Sequence, residues 1–333
     1  MNIVMVGAGM IPIPPPGYGA VEKHVWNLSE ALRARGHEVR IVNEVVGTRS
    51  VDEYRWALRA KRLVTQEPWD VLHLHTPGVA TVFRALGPRR WVYTTHSRHW
   101  AGTQGAGEKI GFFLERQAVA HAKEVIAVSR FVADQIDRPT HVVPNGVDVA
   151  RYKPDLAART GKRVVGLGEV ASHKRWHLAA QAVRGLGCEL RIVGPIRDPR
   201  YANQVESLGA KLLGPMDEAE VIRELAQGDV LVHPSVTESF GMAVVEGMAC
   251  GLPVVCSDLL SFLVTHGQEG YLVPTKGGDE ARVEALRARL SELLADAGLR
   301  ERMGRAARER AVAGYAWDSV AARVEAVYRR MVM

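Results

Sequence analysis

The sequence predicts an α/β protein made of two Rossmann-like units in tandem, and three observations carry that prediction. Apolar runs of strand length alternate with amphipathic, Ala/Leu/Arg-rich stretches along the whole chain, the pattern of parallel sheets covered by helices. The alternation resets once, at Pro144-Asn145-Gly146-Val147-Asp148, and then repeats. At 333 residues the chain also exceeds what one hydrophobic core usually organises.

In the first half, strands are expected at 3–6, 39–42, 71–75, 91–95, 125–128 and 141–143. Between the first two, Val21, Val25, Leu28 and Leu32 recur at helical spacing over 20–35, and Gly36 follows, where a left-handed cap is cheap. Ser129 reads as a helix N-cap. In the second half, strands are expected at 163–167, 189–193, 210–213, 230–233, 253–256 and 271–273, and helices at 279–295, 299–313 and 317–331. The expected domains are one unit at 1–148, a second at 149–315, and a terminal helix at 316–333 crossing back to the first unit. Open α/β sheets bind ligands at the carboxyl ends of their strands, so two such units facing one another would make a cleft.

Composition narrows the function. Apolar residues make up 47%, enough for real cores, yet the apolar stretch 240–256 is broken by Glu246 and by glycines. No run reaches the roughly 18 residues that a spanning helix needs. Met1 leads directly into a strand-like segment without the features of a secretory signal, so the expected location is cytoplasmic. Cys188, Cys250 and Cys256 have neither disulfide nor metal-ligand spacing. A net charge of +6 suits anionic partners, but the basic residues are spread along the chain and no nucleic-acid-binding motif accompanies them. The stretch Arg55-Trp56-Ala57-Leu58-Arg59-Ala60-Lys61-Arg62 is compatible with an interfacial helix at the inner membrane face, and equally with a solvated helix face.

Val6-Gly7-Ala8-Gly9 invites a dinucleotide-binding reading, but Pro12 stands where the third glycine belongs. Pro14, Pro15 and Pro16 then forbid a helix there, which weighs against an oxidoreductase. Gly17 and Gly19 precede the first helix instead, where backbone amides and the positive dipole end suit a phosphate. His73 and His75 share one face of a strand, and His96 and His99 follow the next strand. With no carboxylate at ligand spacing, no metal site is assigned, and His96 is read as a ligand-facing side chain or a satisfied loop histidine. The strongest local signal is the run 234–255. It puts Glu238 in a loop after a strand and Glu246 inside an otherwise apolar helix, where a carboxylate needs hydrogen-bond donors: a hydroxyl-rich ligand, or a buried arginine.

In these residues the chain resembles the retaining GT-B glycosyltransferases of the family-four type. The resemblance covers nearly the whole length, through Gly36-His37-Glu38-Val39, Ala127-Val128-Ser129, Pro144-Asn145-Gly146-Val147-Asp148, the segment 168–174 and the paired glutamates. It implies that Glu238 holds the donor sugar's hydroxyls, Glu246 the ribose hydroxyls, and the backbone of Phe240, Gly241 and Met242 the sugar and phosphates. It further implies that Lys174 neutralises the leaving diphosphate, that Gly19 contacts the substrate from its glycine loop, and that His96 lies beside the transferred sugar. One position departs from the family: Glu169 stands where an arginine commonly follows Gly168. A carboxylate beside a diphosphate must point away, be countered, or mark a changed donor, and Arg175, where the family often has glycine, is a candidate replacement for the lost charge.

The reaction so implied moves a hexose, with retention, from a UDP- or GDP-linked sugar to a hydroxyl acceptor (a sugar, a lipid-linked glycan or a small polyol). It needs no metal and no cofactor beyond the nucleotide-sugar co-substrate. The alternatives are a nucleotide-sugar epimerase on the same fold and a non-catalytic nucleotide-sugar-binding protein, the latter argued chiefly from Glu169.

Overall fold

The computed structural model describes residues 1–15, 19–47, 50–88, 90–96 and 106–332. Gly17 and His99 lie outside the described residues. The chain divides into two compact units, Met1–Gly146 with Trp317–Met333, and Val147–Ala316.

The first unit alternates β1 (Asn2–Val6), α1 (Ala20–Ala34), β2 (Glu38–Val42), α2 (Ser50–Val64), β3 (Val71–Leu74), α3 (Pro77–Leu86), β4 (Val92–Thr95), α4 (Ala106–His121), β5 (Glu124–Ala127), the single turn α5 (Arg130–Ala133) and β6 (His141–Val142). The strands form one parallel sheet in the order β2-β1-β3-β4-β5-β6. β3 and β4 are buried along their whole length, and their sequences Val71-Leu72-His73-Leu74 and Val92-Tyr93-Thr94-Thr95 accordingly lack the regular polar alternation of a half-exposed strand. Ser129 caps α5 by accepting from the Val132 amide at 3.2 Å, and Gly36 takes a φ of +84° just beyond α1.

Two sequence signals have structural explanations here. Gly7 and Gly9 serve close packing: a Cβ on Gly7 would lie 2.4 Å from Asn43 Oδ1, and one on Gly9 would lie 2.2 Å from the Trp56 ring. Trp56, the aromatic of the basic stretch, is fully buried and donates from Nε1 to the Gly7 carbonyl at 2.8 Å. Its ring is therefore spent inside the unit and is no membrane anchor. Among the described residues, no helix is long and apolar enough to cross a membrane.

The second unit runs β7 (Arg163–Leu167), a 3₁₀ turn (Ser172–Lys174), α6 (Trp176–Val183), β8 (Glu189–Val193), α7 (Pro199–Ser207), β9 (Lys211–Gly214), α8 (Glu218–Ala226), β10 (Val230–His233), α9 (Met242–Ala249), β11 (Val254–Ser257), β12 (Gly270–Val273), α10 (Asp279–Ala295) and α11 (Ala297–Tyr315). Its parallel sheet has the order β12-β11-β10-β7-β8-β9, the doubly wound arrangement with its switch point between β7 and β10. Cys250 and Cys256 are free and buried, in keeping with small apolar residues.

The last helix, α12 (Trp317–Val332), belongs to the first unit. Val320, Val324, Val327, Tyr328 and Met331 join the apolar cluster of Ile3, Met5, Val25 and Leu28. Arg35 ties α12 down through Asp318 and Glu325, each at 2.9 Å. The Tyr328 hydroxyl shares a 2.6 Å hydrogen bond with His73 Nδ1, and both side chains are fully buried. Tyr328→Phe strands that nitrogen, so unfolding in urea should show the first unit destabilised by about 1–3 kcal/mol. An unchanged midpoint would mean that this bond does not hold α12 to the sheet.

Candidate functional site

In the second unit the site grows out of the loops that follow β7 and β10. These strands are neighbours, and their connections leave the sheet on opposite sides of the switch point, where an open sheet has its crevice. After β7 the chain passes Gly168 and Glu169 and is laced to the loop after β8. The Val170 amide donates to the Pro195 carbonyl at 2.8 Å, and the Arg197 amide to the Val170 carbonyl at 3.1 Å. That close approach requires Gly194, where an added Cβ would lie 2.1 Å from the Gly168 carbonyl oxygen. Buried Trp176 fixes the same loop by donating from Nε1 to the Glu169 carbonyl at 2.9 Å.

The loop after β10 is tied to this one by the Val236 amide, which donates to the His173 carbonyl at 3.1 Å. The tie brings Glu238 to Lys174: the ammonium donates to Glu238 Oε1, and His233 Nε2 donates to the same oxygen at 2.8 Å. The Lys174 and Glu238 side chains are only 13% and 12% exposed, so each needs a counter-charge. Burial alone would raise the Glu238 carboxyl. The hydrogen bond and charge of His233, with Lys174, outweigh it and hold the group far below the usual carboxylate range.

Glu246 lies one turn into α9, partly buried, with the Tyr152 hydroxyl 3.5 Å from its Oε1. The helix starts on Gly241, whose φ of +96° favours glycine and whose Cβ would crowd Leu260 at 3.0 Å. No side chain caps it, so the first amides of the helix have no side-chain acceptor at its positive dipole end. Phe240, just before, is buried against Phe262 and Tyr315 and anchors the turn.

Glu169 is countered by its neighbours. Arg197 Nε stands 3.1 Å from its Oε2 and His173 Nε2 stands 3.3 Å from its Oε1. Sequence reading missed Arg197, which is 28 residues away and reaches Glu169 only through the lacing of the β7 and β8 loops. Arg175 sits between the 3₁₀ turn and α6 with φ +56°, the left-handed region. That conformation accounts for a family preference for glycine there. Its guanidinium is drawn to Asp279 at 4.0 Å, a carboxylate that His177 also approaches at 3.6 Å.

In the first unit, α1 begins on Gly19 with no side-chain cap. The Gly19 backbone is extended, and a Cβ there would crowd Pro15 Cβ and Glu22 Oε2, each at 3.1 Å. His75 and His96 directly follow β3 and β4, and His75 Nδ1 is 3.2 Å from His96 Nε2. His73, which the sequence groups with His75, is committed elsewhere, to Tyr328 and to Thr94 Oγ1 at 2.7 Å. In its place the fold brings His24 from α1, its ring centroid 4.7 Å from that of His96. All four rings are pushed toward the neutral form by burial, His24 to about 4.

Family models match both units: glycosyltransferase family 4 over residues 19–151 and glycosyl transferases group 1 over residues 161–296. A phosphatidyl-myo-inositol mannosyltransferase of Mycobacterium leprae is 31% identical, the match covering 98% of this chain and 96% of that protein. Sucrose-phosphate synthase from Thermosynechococcus elongatus superposes with a TM-score of 0.83 at 20% identity, covering 99% and 98% of the two chains. The Anabaena protein HepE in complex with UDP and glucose does so with a TM-score of 0.75 at 19% identity, covering 99% and 100%. By its sequence and by its two parallel six-stranded sheets with flanking helices, the chain belongs to the family 4 glycosyltransferases and has their GT-B fold.

Proposed function

We propose that this glycosyltransferase moves a hexose, with retention, from a UDP- or GDP-linked sugar to a hydroxyl acceptor, and that the second unit binds the sugar donor. The observation that carries the reading is the junction of Lys174 and Glu238 at the switch point beside the uncapped start of α9. A nucleotide sugar presents hydroxyls and a diphosphate side by side. Such a ligand parts the pair, its hydroxyls donating to Glu238 and its phosphates taking Lys174, while the amides at Gly241 and Met242 face the phosphates and Glu246 the ribose.

Lys174 and the helix amides then stabilise the charge that develops on the leaving diphosphate, whose oxygen assists removal of the acceptor's proton on the same face of the sugar. Arg197 is the second cation, held by Glu169. The negative charge of Glu169 is thereby spent within the protein, which answers the main argument for a non-catalytic binder. Arg175, paired with Asp279, is the alternative second cation. From the first unit, Gly19 and His96 are assigned to the substrate, His96 beside the transferred sugar. The M. leprae relative's name specifies a mannosyl group and a phosphatidyl-inositol acceptor, so a lipid-linked polyol heads the acceptor classes to try.

Incubation with a panel of nucleotide sugars, with and without acceptors, tests the reading through nucleoside diphosphate release and the anomeric configuration of the product. Acceptor-dependent release with a retained configuration is expected. Release without acceptor transfer would favour an epimerase, and no release with any donor would overturn the proposal. Glu238→Ala should lower turnover by about a hundredfold or more with the circular dichroism unchanged, and near-normal turnover would remove Glu238 from the site. Arg197→Ala should lower kcat/KM by about tenfold, as the loss of one partly exposed charge contact; if Arg175→Ala does so while Arg197→Ala is silent, the second cation is Arg175.

The pairing has its own pH signature. Because the Glu238 carboxyl is depressed in the folded chain, its contribution to stability is complete above the ordinary carboxylate value of about 4.3 and is lost as pH falls through the folded value. Lys174→Met removes one depressing charge and raises that folded value. In both proteins the loss of urea resistance begins near the unfolded value, but in the variant it should be smaller and should end at a higher pH, where the raised folded value lies; superimposable profiles would show that Lys174 does not hold Glu238 ionised.

A further inference from the structure

The first unit holds a group of three histidines of which the reaction above accounts only for His96. His24, on the second turn of α1, meets His75 and His96 at the ends of β3 and β4, and ring nitrogens of the three lie within 4.8 Å of one another. His24 and His75 are 6% and 2% exposed. Nε2 of His75 is buried without a hydrogen-bond partner, and the two buried ring nitrogens of His24 share at most one, the side chain of Asn145. Leaving one such group unpaired costs about 1–3 kcal/mol, and here more than one lies in the same place. Trp317 packs edge-on against the His24 ring at 5.5 Å.

We propose that His24, His75 and His96 form a binding site for a first-row transition-metal ion, with Zn²⁺ as the probe. Tetrahedral Zn–N bonds of about 2.0–2.1 Å set ligand nitrogens about 3.3 Å apart. The hydrogen bond between His75 Nδ1 and His96 Nε2, at 3.2 Å, already sets those nitrogens at that spacing; for both to ligate, the ring that donates moves its proton to its other nitrogen, and His24 has to close the remaining gap. Three imidazoles with no carboxylate among them select Zn²⁺, Co²⁺, Ni²⁺ or Cu²⁺ over Mg²⁺ and Ca²⁺. His73 takes no part, since both of its nitrogens are hydrogen-bonded.

The consequence is inhibition, and it rests on the assignment of His96 to the transferred sugar. A metal held through His96 withdraws that ring from the substrate, so transfer should stop as the site fills. The test uses the full chain with any affinity tag removed. Zn²⁺ binding is followed by calorimetry and by the rise in melting temperature, and Co²⁺ binding by the visible absorption of a tetrahedral complex. His24→Leu and His24→Gln should each bind Zn²⁺ about tenfold or more weakly than wild type. Each should keep basal transfer and resist Zn²⁺ inhibition. Two variants are used because Leu fills the site and Gln keeps it polar; whichever retains the wild-type melting temperature without metal is the one compared. One equivalent bound by wild type and lost in the variant supports the site. Equal Zn²⁺ binding by both, or no cobalt band in wild type, overturns it whatever the activity. If Zn²⁺ binds at the three histidines and transfer continues, the inhibitory role fails, and so does the assignment of His96 to the sugar, while the reading of the second unit is untouched.

Discussion

A strand in a parallel sheet cannot pair with the next strand until the chain has crossed back over the sheet, so all carboxyl ends of the strands reach one edge. Both sheets here are parallel throughout, and the chemistry of each unit collects at such an edge. Lys174 and Glu238 are 64 residues apart in the chain and meet because β7 and β10 are neighbours at the switch point. His75 and His96 meet for the same reason at the ends of β3 and β4. The residues that refine the geometry, such as Gly194 under the Gly168 carbonyl and Trp176 under Glu169, act on loops that the sheet order has already placed.

The sequence is most legible where one physical signal decides the outcome. The strands at Arg163–Leu167, Glu189–Val193 and Val230–His233 and the helix Asp279–Ala295 have the bounds that composition and periodicity predict, because nothing competes with burial of those residues. Legibility fails where a partner distant in the chain decides. The basic stretch at 55–62 does not say that Trp56 turns inward to Gly7, because a basic stretch with an aromatic looks the same on a membrane-facing helix. His73 and His75 look equivalent in a strand, yet Tyr328 and Thr94 take one and leave the other with an unpaired nitrogen. Arg197 carries no local signal at all, since its relation to Glu169 exists only through backbone bonds between loops.

The resemblance to a family supplied residue identities at the candidate site, and the structure adds how their charges are balanced. A site for a ligand with hydroxyls at one end and phosphates at the other needs a carboxylate and an ammonium within a few ångströms of each other. Buried and alone, either would carry a large desolvation cost, so each serves as the other's counter-ion. In the proposed reaction a nucleotide sugar replaces one internal ion pair by two external contacts of the same sign relation, and the net electrostatic change is small. Affinity then has to come in good part from the amides at the start of α9, which no side chain caps. His233 makes the exchange workable: it holds the same oxygen of Glu238 as Lys174 does, so the carboxylate keeps its position and its charge when the lysine turns to the phosphate. A carboxylate held by Lys174 alone would follow the lysine or take up a proton, and the sugar would lose its fixed acceptor at the moment the bond to the diphosphate breaks.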